Sequence, residues 1–468
     1  MTRTTRVIGV DSSTQSTKAV LVDADDGTVL AQRAAPHPPG TAVDPRRWLD
    51  ACDAVVGDWR GEADAVAVAG QQHGMVALDA DGLPVHDALL WNDTRSAAAA
   101  TQLVAEMGGA QACADAVGSV LVASFTATKL RWLRDHRPEA AAAVTRVLLP
   151  HDYVSWHLAG RHTEPFTDRG DASGTGYFDA RTSAWREDLA ASALGHDVAL
   201  PRIVADGAAA YEDAFVVAGG TGDNMGAALG LGLVPGDVVV SIGTSGVASA
   251  IAEDPVADGT GAVTGFADAT GRYLPMATTM NAAGILDLQA RLLGVDHSEL
   301  ARLALAAPPG ANGVTLSPYY GGERTPDRPR ATGLWAGLRP TTTREDLARA
   351  AVEALLCSLA DAVDLLASRV GGCDGRLLLV GGAARNPAVR ALAPAIFGQS
   401  VHVPPPAEYV ALGAARQAAW ALGGTEAPPL WKPAGTEVLD ADPTPFVREA
   451  YADLRDRTGA WTQPERTS

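Results

Sequence analysis

The chain has 468 residues, a formal charge of −18 and 47% hydrophobic residues. That length holds about two to four domains of ordinary size with a sizeable core. The acidic balance reads as solubility and argues against non-specific binding to nucleic acid or to an anionic membrane.

The four cysteines, Cys52, Cys113, Cys357 and Cys373, show no close pair and no metal-ligand spacing. That is the pattern of reduced thiols in a cytoplasmic protein. The apolar run at residues 7–10 is too short for the core of a secretion signal. The uncharged stretches 303–322 and 391–407 are broken by prolines and polar residues, so neither reads as a membrane span. The expectation is a soluble cytoplasmic protein with no nucleic-acid or membrane partner.

Residues 6–10 are apolar and end at Asp11; Ser12-Ser13-Thr14-Gln15-Ser16-Thr17-Lys18 follows, and residues 19–22 are apolar again. After a turn at 23–27, residues 28–33 predict a third strand. The first turn of this meander carries hydroxyls, one carboxylate and one ammonium. Hydroxyls plus Lys18 can hold phosphate oxygens, and Asp11 can hold Mg²⁺ through water. A polar surface hairpin has the same composition.

Residues 45–59 predict an amphipathic helix with Trp48, Leu49, Cys52, Val55 and Val56 on one side. Residues 65–69 predict a buried strand that runs into Gly70-Gln71-Gln72-His73-Gly74. A polar cluster framed by glycines at the end of a buried strand is where α/β proteins place substrate contacts. A lone histidine there also serves as an ordinary structural residue. Residues 89–95 end another strand in polar side chains. Residues 96–107, 128–136 and 151–160 predict helices, and 167–176 a polar, Gly-rich loop. The alanine-rich runs read as helix propensity.

The stretch 217–250 holds two kinds of chemistry. A Gly-rich turn leads into Asp223-Asn224 at the start of a helix, which suits a base, a metal partner or an N-cap. Residues 238–242 then predict a strand, and Gly243-Thr244-Ser245-Gly246 a turn into the next strand. That turn offers N–H groups and hydroxyls to phosphate, or is a plain hairpin turn. A carboxylate a short hinge away from a phosphate cradle fits phosphoryl transfer to a hydroxyl.

Residues 273–276 predict a strand, 281–293 a helix, and 344–369 one long helix. Residues 376–380 predict a strand entering Gly381-Gly382-Ala383-Ala384-Arg385-Asn386-Pro387. Paired glycines before a helix let a nucleotide approach the backbone closely. Residues 410–422 predict a further helix, and the Pro-rich text from Glu426 a tail over the body. Strand–polar hairpin–strand occurs at 7–22 and again at 238–250. Strand–glycine turn occurs at 65–74 and again at 377–386. This repeat implies two copies of one α/β unit with a boundary near residues 233–236.

With these residues on the page, the chain resembles the FGGY carbohydrate kinases. GVDSSTQSTK is similar to the family's first phosphate motif. SFTATKLRWLRDH (124–136) and GLWAGLRPTTTREDLARAAVE (333–353) are similar to its two signatures, and GGTGDNMGAALG to the segment bearing its catalytic base. The resemblance runs from about residue 7 to 420. GQQHG, ALLWNDTR, LLPHDYVSWHLAG, DASGTGYFD and SPYYGGERTPDRP most resemble the members that phosphorylate D-xylulose.

The resemblance implies an α/β, two-domain actin-like ATPase (ribonuclease H-like) fold. It implies a sugar-binding domain over 1–234 and a nucleotide-binding domain over 235–468. It implies ATP and Mg²⁺ as cofactors and D-xylulose 5-phosphate as product. By position, Asp223 becomes the general base, and Gln72, His73, Asp223 and Asn224 the sugar contacts. Thr14, Ser16, Lys18, Gly243 and Thr244 hold the phosphates of ATP, Gly382 and Asn386 line the nucleotide pocket, and Asp11 organises Mg²⁺. The sequence leaves a homodimer open. It departs from the family pattern at Gln72, where methionine is usual, and at Asp-Ser-Ser-Thr, where Asp-x-Gly-Thr is common. Two alternatives stand beside this reading: a kinase for another ketose or polyol (ribulose, gluconate or glycerol), and a non-catalytic sugar sensor on an actin-like fold.

Overall fold

The structure is a computed structural model that describes residues 4–213, 215–431 and 435–459. The chain builds two compact units. The first takes the chain up to Leu233, residues 252–274 and the segment from Pro406; the second takes 234–251, 275–405 and the residues from 435 onward.

In the first unit the strands Arg6–Ser12, Ser16–Asp23 and Val29–Pro36 form an antiparallel meander. Ala65–Gly70 runs parallel to Arg6–Ser12 on its other side, and Val216–Ala218 parallel beyond that. Thr221–Gly222 pairs with the far end of Ala65–Gly70. Ala65–Gly70 is buried at every position, as a central strand of alternating alanine and valine should be when both faces are covered.

The helix Arg46–Val56 buries Trp48, Cys52, Val55 and Val56 on one face of this sheet, against Ile8, Val10, Leu21, Val66 and Val68. The other face, with Val7, Val20, Val22, Ala65 and Ala67, is covered by Ala411, Ala414, Ala415 and Ala418 of the helix Tyr409–Gly423. The alanines of that helix are thus a packing surface as well as good helix formers. Any larger side chain would hold the helix off the sheet. A Cβ on Gly9 would stand 1.8 Å from the Ala411 carbonyl, and one on Gly413 would stand 1.8 Å from the carbonyl of Gly226 in the helix Asp223–Leu231.

The second unit repeats the same local order. The hairpin Val238–Ile242 with Gly246–Ala250 is antiparallel, and Leu377–Val380 runs parallel beside Val238–Ile242. Val401–Val403 continues parallel, and Glu437–Leu439 closes the edge antiparallel. The Pro-rich tail therefore supplies an edge strand, then the helix Pro445–Arg457. The helix Arg344–Val370 starts at a capping box between Thr343 and Asp346 and stops at Gly371, whose φ of 79° is left-handed. The helix predicted over 281–293 begins at Ala283, because the Asn281 amide donates to the Gly322 carbonyl and to Glu323.

Candidate active site

Strand register brings the first unit's candidate residues together. Ser12 pairs with Gly70, Ala69 with Thr221, and Gly70 with Gly222. The residues that leave these strand ends, Asp11, Gln71, Gln72 and Asp223, come from sequence positions over two hundred apart yet share one rim. Ligands gather at the carboxyl ends of parallel strands for this reason.

Asp223 is the first residue of its helix, and Gly222 is the N-cap. The carboxylate is therefore not used up as a cap. Its Oδ1 accepts from the Asn224 backbone N–H at 2.8 Å and from Asn224 Nδ2 at 3.1 Å. Burial, then repulsion from Asp11 and Asp171, pushes its pKa up to about 8. Asp11 is 3% exposed, accepts from the Ser13 hydroxyl and is pushed up to about 6, chiefly by burial. A cation beside it would relieve that cost. Among the described residues no group of three acidic, histidine or cysteine side chains could hold a metal ion. Oxygen donors from a single carboxylate fit Mg²⁺, which keeps most of its waters and takes phosphate oxygens.

His73 has a φ of 68°, a left-handed backbone for a non-glycine residue. Its Nδ1–H donates to the Gly174 carbonyl at 2.5 Å, which makes Nε2 the acceptor of the neutral ring. The ring packs 4.9 Å from Phe125 and 5.6 Å from Phe266. Gln72, 3% exposed, has its Oε1 accepting from Asn224 Nδ2 at 2.8 Å.

The phosphate-motif hydroxyls lie in the turn between the first two strands, closed by the Ser13 N–H to the Ser16 carbonyl. Thr14 accepts from Trp91 Nε1 at 2.9 Å. Ser16 is half-buried, and Lys18 is paired with Glu408 at 2.6 Å.

Behind this rim lies a group that the sequence reading did not single out by residue, although His151, Asp152 and Asp171 fall in the segments LLPHDYVSWHLAG and DASGTGYFD that carry the resemblance. His151, Asp152 and Asp171 are wholly buried, and Asp168 is 4% exposed. His151 Nδ1 lies 2.7 Å from Asp171, and its Nε2 3.1 Å from Asp152. Asp168 accepts from the Thr221 hydroxyl and from the N–H groups of Gly170 and Asp171. Burial pushes Asp152 up to about 7, Asp168 to about 6, and Asp171 well above the usual carboxylate range. In the sequence these residues sit in a predicted helix start and a polar, Gly-rich loop.

In the second unit, Gly243, Thr244, Gly382 and Asn386 line one cleft of about 580 Å³. Ile242, Ala283, Leu286 and Pro387 give it apolar walls, and Arg385 supplies a cation. Gly243–Gly246 is a hairpin turn by connection, and its Gly243 and Thr244 also line this cleft. Gly381 has a φ of 96°, and a Cβ there would meet the Ile242 backbone at 2.6 Å. Asn386 Oδ1 caps the helix Pro387–Phe397 by accepting from the Ala388 and Val389 N–H groups. Its reading as a pocket residue thus comes with a structural role. Apolar walls, backbone donors at two turns and one guanidinium fit a base and phosphate groups.

A model of the FGGY family of carbohydrate kinases, N-terminal domain, matches residues 6–230, and one of the C-terminal domain matches 238–422. The xylulose kinase of Streptomyces coelicolor is 47% identical over 455 residues, covering 93% of this chain and 92% of its own. That of Streptomyces rubiginosus is 46% identical over 459 residues, covering 93% and 92%. Among solved structures, xylulose kinase from Bifidobacterium adolescentis matches with a TM-score of 0.91 and 45% identity, covering 97% of this chain and 99% of that one.

Proposed function

Because the chain belongs to the FGGY family of carbohydrate kinases, we propose that it transfers the γ-phosphoryl group of ATP to D-xylulose, giving ADP and D-xylulose 5-phosphate. The chain is a sugar kinase on the two-unit fold of that family. The substrate rests on one observation: relatives named xylulose kinase match it at 46–47% identity across more than nine-tenths of both chains.

The rim of the first unit supports a mechanism. The Asp223 carboxylate takes the proton of the attacking hydroxyl as its oxygen bonds to the γ-phosphorus, and the bond to the β–γ bridging oxygen breaks to release ADP. His73 and Asn224 present imidazole and amide groups to the remaining sugar hydroxyls. Such groups discriminate by hydrogen bonding, since an analogue that leaves them unpaired is rejected. In the first unit the hydroxyls of Thr14 and Ser16 and the Lys18 ammonium suit phosphate oxygens; in the second, the turn at Gly243 and Thr244 does so. The adenosine end belongs in the cleft of Gly382 and Asn386. Asp11 would hold Mg²⁺ through water, and the ion would neutralise charge on the transferring phosphates. A cytoplasmic location belongs to the same reading and rests on four free cysteines.

A coupled ADP-release assay across D-xylulose, D-ribulose, glycerol and gluconate tests it. D-Xylulose should give the highest kcat/KM. Another sugar clearly ahead would overturn the substrate while leaving the kinase in place.

A further inference from the structure

Behind the base, buried side chains form one line. His151 Nδ1 lies 2.7 Å from Asp171 Oδ2, and both residues are wholly buried. The other oxygen of Asp171, Oδ1, and the amide nitrogen of Gln72 are each buried and make no hydrogen bond, to each other or to any other group, among the described residues. They are neighbours. A Cβ on Gly222 would stand 2.8 Å from Gln72 Cγ and 3.1 Å from Asp171 Oδ1. The Gln72 side chain is also a group that favours the ionised form of Asp171. On its other side Gln72 Oε1 accepts from Asn224 Nδ2, and the same Nδ2 donates to Asp223 Oδ1.

Chemistry allows one orientation of the Gln72 amide. Its oxygen must face the Asn224 NH₂ and its NH₂ the Asp171 carboxyl. The flipped amide would set donor against donor and acceptor against acceptor. A methionine at this position would offer Asn224 no acceptor and Asp171 no donor.

We infer that Gln72 is a positioning residue: its amide ties Asn224, and through it the Asp223 carboxylate, to the buried Asp171–His151 pair. This rests on the kinase reading above and moves Gln72 from a sugar contact to a support one bond behind the base. Asn224 occupies Asp223 Oδ1, which directs Oδ2 toward the reacting hydroxyl. A displacement of about 1 Å at such a group costs on the order of 10²-fold in rate.

The test is steady-state kinetics of Gln72→Met, Asp171→Asn and the double variant, with sugar and ATP each varied. Gln72→Met should lower kcat about tenfold while the KM for D-xylulose stays within about threefold, because orientation of the base is lost and sugar contacts are kept. Asp171→Asn should do the same, and the double variant should be no worse than the poorer single, since both break one line. A KM for the sugar raised tenfold at unchanged kcat, with a new order of preference between D-xylulose and D-ribulose, would make Gln72 a sugar contact and overturn the inference. Additive losses would also overturn it. If Asp171→Asn fails to fold, the kcat-against-KM split of Gln72→Met decides alone. If the wild type prefers a different sugar, the proposed substrate falls, and the same split is read with the sugar it does phosphorylate.

Discussion

Lys18 Nζ lies 2.6 Å from the carboxylate of Glu408, a residue 390 positions further along the chain. The ammonium read as a phosphate ligand therefore begins in an ion pair, and ATP has to compete with Glu408 for it. A pair this exposed is worth about 0–1 kcal/mol. Glu408→Gln should lower the KM for ATP by up to about fivefold and leave the KM for sugar unchanged. A raised KM for ATP would mean that Glu408 itself serves the nucleotide.

Asp223→Asn keeps size and polarity but cannot accept the proton. Loss of a general base costs roughly 10²–10⁴-fold in rate. The drop should fall on kcat, with the protein still binding D-xylulose in calorimetry. A variant with near-normal kcat would remove Asp223 from the chemistry.

His73 is best deleted as glycine, because its φ of 68° makes alanine a strained replacement. His73→Gly should raise the KM for sugar about tenfold or more by leaving hydroxyls unpaired, with the KM for ATP unchanged. Equal effects on both would show a general disturbance of the rim.

Stability should fall as pH rises from 5 to 8. Asp11 and Asp168 are pushed up to about 6, Asp152 to about 7 and Asp223 to about 8. In the unfolded chain such carboxyls lose their protons near pH ~3.9. Across this window the folded chain holds more protons than the unfolded one, so raising pH favours unfolding. Carboxylates held low by arginine partners, such as the half-buried Asp44 and the exposed Asp58, titrate below the window. Thermal scans at constant ionic strength should give a declining Tm; a rising one would contradict these environments.

Gly413→Ala should destabilise the first unit strongly, because its Cβ would sit 1.8 Å from the Gly226 carbonyl and 2.9 Å from the Gly230 nitrogen, both backbone. Overpacking of this kind costs about 1–3 kcal/mol or more. A Tm within a degree or two of wild type would show that the helices separate easily.

Local pattern carried much of this protein. The alternation of 65–70, the helical stripe of 46–56 and the glycines at 381–382 are nearest-neighbour signals, and the repeat of hairpin and strand was visible as text. The family resemblance pointed to Asp223 as the base, because Asp223-Asn224 sits in a motif of contiguous residues. What no contiguous pattern could hold was register. Asp11, Gln72 and Asp223 meet because Ser12, Gly70 and Gly222 align across parallel strands. Burial was hidden for the same reason. Asp168 and Asp171 lie in a loop whose composition says solvent, and only the packing around them removes the water and pushes their carboxyls up. The alanines of 411–418 read as propensity until the sheet they cover was in place. Sequence determined which groups the chain carries; long-range pairing decided which of them are dry, which are partnered, and therefore which can act.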